Sequence, residues 1–140
     1  GHPCALRAAV DVSCLATQSS TGYWNAVNTI HARAAELGGT ERRLAKANTS
    51  LDEIVAKIGT QQHVDAAALN ACIQKQDATS VEHSREQGLG LQVQVTPTFF
   101  INGARIEGAV PIDFIFHMID SALLAEGKTP PPPLPVAQGQ

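Results

Sequence analysis

The residues of this 140-residue chain most able to carry out chemistry are its three cysteines, Cys4, Cys14 and Cys72. They are widely separated, and the sequence contains neither a Cys-x-x-Cys pair nor histidines paired at the spacing of a zinc site. Three cysteines allow one disulfide and leave one thiol over. The sequence therefore predicts no metal site and no cofactor.

Cys14 and Cys72 are the cysteines best placed to meet. Each falls on the apolar stripe of a predicted helix, Cys14 four residues after Val10 and Cys72 three residues after Leu69. If both stripes face a shared core, the two Cα atoms can come within the roughly 5.5 Å that a disulfide needs. The alternative is a pair of buried free thiols that act as small hydrophobic side chains.

Cys4 and the histidines carry weaker indications. Cys4 lies about 15 Å along the predicted helix from Cys14 and on a different face, which leaves its role open. The histidines occur singly, which favours solvated or helix-surface positions; they are His2, His31, His63, His83 and His117.

Composition excludes several classes of protein. Hydrophobic residues make up 44% of the chain, which is enough for a folded core, and no apolar run reaches the ~18 residues of a membrane-spanning helix. The net charge is −3 and there is no basic stripe, which argues against nucleic acid as a partner. No charged segment followed by an apolar one opens the sequence, so it predicts no signal peptide.

Residues 1–92 are predicted to be mainly helical, because apolar residues recur at helical spacing between glycines and capping signals. Residues 40–49 fit either a loop or a frayed helix. The first predicted helix begins at Pro3 and ends at a break at 18–22, and the second runs from near Tyr23 to Leu37, before Gly38-Gly39. The third begins at a capping box at 50–53 and ends at Gly59, and the fourth runs from Asp65 past Ile73. The fifth begins at a capping box at 79–82 and ends at Gln87, before Gly88.

The pattern then changes from helical to strand-like. Residues 93–102 are β-branched and aromatic and predict a strand, closed by the favoured hairpin turn Asn102-Gly103 and followed by a second strand at 104–110. A last helix is predicted from Pro111 to Gly127. Residues 128–140, with prolines in a row, predict a disordered, largely polyproline tail or linker.

A proline inside the first predicted strand is the most specific feature of the sequence. Pro97 cannot donate a hydrogen bond to a sheet, and a cis Thr96–Pro97 peptide bond would explain its position. The stretch VTPTFFING at 95–103 resembles the cis-proline loop of the thioredoxin superfamily, in the form found in DsbA-like thiol-disulfide oxidoreductases. The H-P-x-A stretch at 2–5 and the Tyr23-Trp24 pair resemble the start of the helical domain inserted in those proteins.

The resemblance implies an α/β, thioredoxin-like fold with a large helical insertion, with the N-terminal βαβ unit missing from this chain. It implies three parts: a helical insertion region at 1–92, a C-terminal β-hairpin plus helix at 93–127, and the proline-rich tail at 128–140. In the family a Cys-x-x-Cys exchanges disulfides with protein substrates, and the cis-proline loop, here Thr96 and Pro97, positions them. The parent is therefore expected to be a protein disulfide oxidoreductase and this chain alone to be inactive.

The resemblance also bears on compartment and partners. The family works in oxidising compartments, which favours a structural Cys14–Cys72 disulfide and an extracytoplasmic location, in the bacterial periplasm or cell envelope. The expected partners are protein or peptide thiols and disulfides, and possible redox partner proteins. Either a missing N-terminal fragment or a second copy is expected to complete the sheet.

Two further functions fit the sequence. The first is a redox-dead module in which the loop at Thr96 and Pro97 binds extended peptides without thiol chemistry. The second is a mainly helical interaction domain in which the match at 95–103 is accidental. A Cys-x-x-Cys in the upstream coding sequence would distinguish the oxidoreductase from the peptide-binding module.

Overall fold

A computed structural model of the chain describes residues 4–37 and 43–133. The chain divides into two compact units, Gly1–Gln87 and Gly88–Gln140. The boundary predicted at 92/93 lies inside the second unit. The elements in chain order are α1 (Ala5–Ala16), α2 (Ser20–Ala32), α3 (Ala34–Leu37), α4 (Leu44–Gln61), α5 (Ala66–Lys75), α6 (Thr79–Gly90), β1 (Thr98–Ile101), β2 (Ala104–Glu107) and α7 (Ile112–Ala125).

The first unit is a helical bundle in which α1, α2, α4 and α5 pack against one another. Its centre holds Leu15, Leu51 and Val55, which have no solvent exposure. Full burial of such side chains stabilises a fold by about 1.5–3 kcal/mol each, so this core is the main source of stability in the unit. Leu6 lies four residues before the buried Val10 but is 51% exposed.

Two side-chain caps fix the starts of α2 and α5. The Ser19 hydroxyl accepts a hydrogen bond from the Gly22 N–H at 2.9 Å, and the Asp65 carboxylate accepts one from the Ala68 N–H at 3.0 Å. The cap predicted at Asp65 is therefore confirmed. The start of the second helix predicted near Tyr23 is wrong, because Ser19 caps a helix that begins at Ser20. The end predicted at Gly38-Gly39 lies outside the described residues.

The third predicted helix begins and ends at the wrong places. α4 already includes residues 44–49, and the capping-box pattern at 50–53 lies in its interior. Gly59 does not end the helix, which continues to Gln61. A β-carbon on Gly59 would lie 2.4 Å from the Leu69 side chain, so this glycine permits α4 and α5 to approach closely.

α6 also runs past the predicted boundary. The helix continues through Gly88 to Gly90, so the predicted end at Gln87 is wrong. Its first turn is capped from outside: the Asp77 carboxylate accepts hydrogen bonds from the N–H and the hydroxyl of Thr79, at 3.1 and 2.7 Å. These contacts hold the pKa of Asp77 well below its usual range.

The second unit is built on a two-stranded antiparallel sheet, β1 with β2. Asn102 and Gly103 both have positive φ, 47° and 83°, which is the backbone of the predicted two-residue hairpin turn. The strands are shorter than predicted: β1 covers 98–101 rather than 93–102, and β2 ends at Glu107. Pro97 cannot donate to a ladder, and among the described residues only β2 pairs with β1, so the segment at 93–97 is not a strand.

α7 follows Pro111 as predicted, but most of its apolar stripe is not covered. Ile115 is the single buried residue of the helix, whereas Ile112 is 61% and Phe116 41% exposed. Residues 128–133 form neither helix nor strand, and residues 134–140 of the predicted tail lie outside the described part. No helix within the described residues is long and apolar enough to cross a membrane.

Candidate functional site

Thr96 and Pro97 lie exposed immediately before β1, and their peptide bond is cis. Hydrogen bonds hold the segment on both sides. The Thr98 hydroxyl donates to the Val95 carbonyl at 2.6 Å, and the Gly108 N–H donates to the Pro97 carbonyl at 2.8 Å. Within residues 4–37 and 43–133, neither the N–H nor the C=O of Thr96 takes part in a hydrogen bond. Thr96 therefore presents an unpaired donor and acceptor from a fixed backbone.

The register of the hairpin shows which backbone groups of β1 remain available. Phe99 pairs with Ile106, and the Gly108-to-Pro97 bond extends the same ladder by one step. In an antiparallel pair, hydrogen-bonded positions alternate with positions whose N–H and C=O point away from the partner. Thr98 and Phe100 are the outward-pointing positions, so their N–H and C=O groups line the edge of β1 opposite β2.

The two adjacent phenylalanines of β1 lie on opposite faces of the sheet. Phe99 shares a face with its buried partner Ile106, which is 8% exposed, and α7 contacts this strand. Phe100 lies on the other face, is 46% exposed and has the Arg105 guanidinium 5.9 Å from its ring centre. Phe99 is itself 37% exposed, so neither phenylalanine of β1 is buried.

Arg105 also fixes the approach to the Thr96 segment. Its guanidinium donates to the carbonyls of Leu91 and Gln92 just after α6, and it forms an ion pair with Glu107. These contacts join β2 to the chain that leads towards Val95. The hydrogen bonds of Arg105 therefore hold the segment of chain that leads into the candidate site.

Cys14 and Cys72 form a disulfide, with their Cα atoms 5.8 Å apart. The bond joins α1 to α5. Cys14 is 3% exposed, but Cys72 is an exposed residue, so its predicted position on a buried stripe is wrong. α5 turns Leu69 and Ile73 into the core and leaves Cys72 at the rim.

Cys4 is the free cysteine, and it is buried at 7% exposure. Its thiol donates to the Leu37 carbonyl at 3.3 Å. Cys4 and His31 both line an apolar cavity of about 350 Å³ in the first unit. Within the described residues, no group of three or more histidine, cysteine or acidic side chains is arranged to hold a metal ion.

A buried carboxylate lies one turn before Cys14. The Asp11 side chain has no exposure; its Oδ1 accepts a hydrogen bond from the Gln76 amide at 2.7 Å, while Oδ2 has no hydrogen-bond partner among the described residues. Arg7 lies 3.9 Å from that Oδ2 but makes two hydrogen bonds to Asp52, at 2.8 and 2.7 Å. Burial, and to a lesser degree the charge of Asp52, raises the pKa of Asp11 to about 6, against the lowering effects of Gln76 and Arg7.

This cluster was not predicted from the sequence, although one signal was present. Asp11 precedes Cys14 and Leu15 by three and four residues, the spacing of one helix face, so the stripe that buries those two residues also buries the carboxylate. Its partners could not be read in the same way. Asp52 and Gln76 are remote in sequence and reach Asp11 only through the packing of the bundle.

Comparison with known proteins identifies the family. Residues 2–121 match a family model described as thioredoxin, and the chain belongs to that family. The match includes the segment from Thr96 to Gly103, so the resemblance there is not isolated. No curated protein and no solved structure gave a significant match.

Proposed function

We propose that this chain is the substrate-receiving part of a DsbA-like thiol-disulfide oxidoreductase. The observation that carries the proposal is the exposed backbone of Thr96, whose N–H and C=O are unpaired within the described residues at the start of an open sheet edge. An extended peptide can pair with such groups by strand addition, in which backbone hydrogen bonds supply affinity and neighbouring side chains supply specificity. Membership of the thioredoxin family supports a role in thiol-disulfide exchange.

The proposal assigns the Cys-x-x-Cys of the family to a segment upstream of His2. Support comes from the second unit, where α7 and the hairpin leave large apolar side chains uncovered. The exposed fractions are 45% for Phe114, 41% for Phe116, 39% for Ile119 and 37% for Phe99. The unpaired edge formed by the outward-pointing groups of Thr98 and Phe100, in a unit that also exposes large apolar side chains, is one that natural proteins normally cover. A βαβ unit that pairs with β1 would cover it, and a second copy of the chain is the alternative.

In this arrangement β1 and the segment immediately before it have different roles. Thr98 and Phe100 pair with the neighbouring strand, and Thr96, with Pro97, positions the substrate next to the redox-active cysteines. The Cys14–Cys72 bond supports an oxidising compartment, and we place the protein outside the cytoplasm, in the bacterial periplasm or cell envelope. The partners are then protein or peptide thiols and disulfides, and a redox partner protein that restores the active cysteines.

Amide hydrogen exchange measured by NMR tests whether Thr96 binds peptide while Thr98 and Phe100 pair with a neighbouring strand. Addition of an extended, cysteine-free peptide should slow exchange at the Thr96 N–H. The N–H groups of Phe99 and Ile101 already face β2 and serve as internal controls that should not change. Protection of Thr98 and Phe100 as protein concentration rises, with a doubled mass by light scattering, would identify a second copy on the edge. A folded 14.8 kDa monomer with both amides unprotected would contradict the edge-covering argument.

The redox assignment is tested on the gene product that contains this chain together with its upstream sequence. We expect turnover of a peptide disulfide and a trapped mixed disulfide at a cysteine upstream of His2. Peptide protection at Thr96 without turnover would show a redox-dead binding module instead. Absence of both would reject the proposed function.

A further inference from the structure

The two cysteines of the Cys14–Cys72 disulfide differ in their exposure to solvent. Cys14 is 3% exposed and lies in the core cluster of the first unit, whereas Cys72 is an exposed residue on α5. Thiol-disulfide exchange depends on which sulfur an incoming thiolate can reach and on how easily the other sulfur leaves. The asymmetry therefore selects Cys72 as the sulfur attacked and Cys14 as the leaving group.

We propose that the Cys14–Cys72 disulfide is itself a thiol-exchange site, at which a thiolate from solvent attacks the Cys72 sulfur. The attack forms a bond between the incoming sulfur and Cys72, breaks the bond between Cys72 and Cys14, and leaves Cys14 as a thiolate that takes up a proton. A second thiolate then attacks the incoming sulfur and releases Cys72. In total, two thiols are oxidised to one disulfide while Cys14 and Cys72 are reduced. The proposal does not depend on Thr96 or on an upstream Cys-x-x-Cys.

The position of Asp11 determines how readily Cys14 can leave. Asp11 precedes Cys14 by one helix turn on α1, and Gln76 follows Cys72 by one turn after α5. The Asp11–Gln76 hydrogen bond therefore joins α1 to the end of α5, one helix turn from the disulfide that joins the same two helices. While Asp11 is ionised, a thiolate on Cys14 would place a second negative charge in the same buried region.

The charged groups around Asp11 relieve that repulsion only in part. Arg7 on α1 is the nearest cation, but its guanidinium forms two hydrogen bonds with Asp52 on α4, and Asp52 adds a further negative charge. Gln76, from the end of α5, is uncharged. A neutral Asp11 removes the repulsion, so at a given concentration of attacking thiolate the exchange should be faster where Asp11 is protonated. Burial raises the pKa of Asp11 to about 6, which sets the pH range of the effect.

The site of attack is tested on the wild-type chain with reduced glutathione as the probe. After rapid acid quench and alkylation, peptide mapping should find the glutathione adduct on Cys72 in at least about tenfold excess over Cys14. The reduction rate should rise in proportion to glutathione concentration. A rate that levels off at the unfolding rate, or equal adducts on the two cysteines, would overturn the proposal. Adducts on Cys4 are read separately from its own peptide.

The role of Asp11 is tested by its conservative variant. Asp11→Asn retains an oxygen that can accept from Gln76 but carries no charge. Its reduction should be about tenfold or more faster than wild type above pH ~7, and the two rates should converge below pH ~5. Glu53→Gln removes an exposed negative charge in the same unit and serves as the control, with no pH-dependent difference expected. A ratio of Asp11→Asn to wild type that is constant with pH would overturn the role of Asp11.

Discussion

Replacement of Asp11 by asparagine should stabilise the helical unit, with a gain that builds up as pH rises from about 4 to about 6 and is then retained at higher pH. The carboxylate is fully buried, and its pKa is raised from 3.8 to about 6, chiefly by burial. Because the folded-state value lies above the unfolded one, the favourable contribution of the protonated group is present below pH ~4 and is lost as pH rises through about 6. A difference of about two pH units corresponds to roughly 3 kcal/mol. The free energy of unfolding of Asp11→Asn should therefore exceed that of wild type by about 1–3 kcal/mol at pH ~8 and match it near pH ~4.

Urea denaturation across this pH range measures the effect. Trp24 is the single tryptophan and lies in the same unit, so its fluorescence reports unfolding of that unit, with far-ultraviolet circular dichroism as a second probe. Glu53→Gln is the matched control, because it removes an exposed carboxylate. If Asp11→Asn is less stable than wild type at pH ~8, or differs from it equally at every pH, the account of Asp11 as an ionised, poorly compensated buried group is refuted.

Three other variants test the packing, the cap and the disulfide. Gly59→Ala should lower the free energy of unfolding by about 1–3 kcal/mol in urea titrations, because its β-carbon would overlap Leu69. Ser19→Ala should cost about 1 kcal/mol by the same measurement through loss of the α2 cap. Simultaneous replacement of Cys14 and Cys72 by alanine should cost about 4 kcal/mol in the chain-entropy treatment of a loop with sequence separation 58, as thermal and urea unfolding would show.

Each of these has its own control. Gly88→Ala, in a helix where a β-carbon would meet nothing within 4 Å, should be neutral or slightly stabilising, and an equal loss there would show that Gly59 is not special. Ser20→Ala leaves the Ser19 cap in place and should change stability little. For the disulfide, reductant should lower the stability of wild type but not of the alanine double variant.

Features that depend on nearby residues could be predicted from the sequence. The hairpin turn at Asn102-Gly103 follows from residues that tolerate positive φ, and the cap at Asp65 follows from a side chain that reaches the next turn. In both cases the interacting groups are specified locally. The pairing of Cys14 with Cys72 rested on the family resemblance as well, because the buried helix face predicted for Cys72 was wrong.

Features that depend on remote partners could not be predicted in this way. The pattern at 50–53 resembles a helix start, but buried Ala47 and Leu51 continue one helical stripe through it, and tertiary burial prevails over a capping signal. Gly59 looks like a helix end until the approach of Leu69 is known. The raised pKa of Asp11 likewise depends on burial in the folded bundle and on the charge of Asp52, which only the packing of the helices brings near.

The link between α1 and α5 also controls how the chain responds to mechanical force. Cys14 and Cys72 have a sequence separation of 58. While their bond is intact, a force applied at the two termini does not stretch the polypeptide between them. At about 3.3–3.6 Å per extended residue, roughly 200 Å of contour length stays hidden while the bond is intact. A single-molecule pulling trace should gain that length in one step when a thiol in the buffer cleaves the bond. The dwell time before the step would report cleavage of the disulfide one molecule at a time.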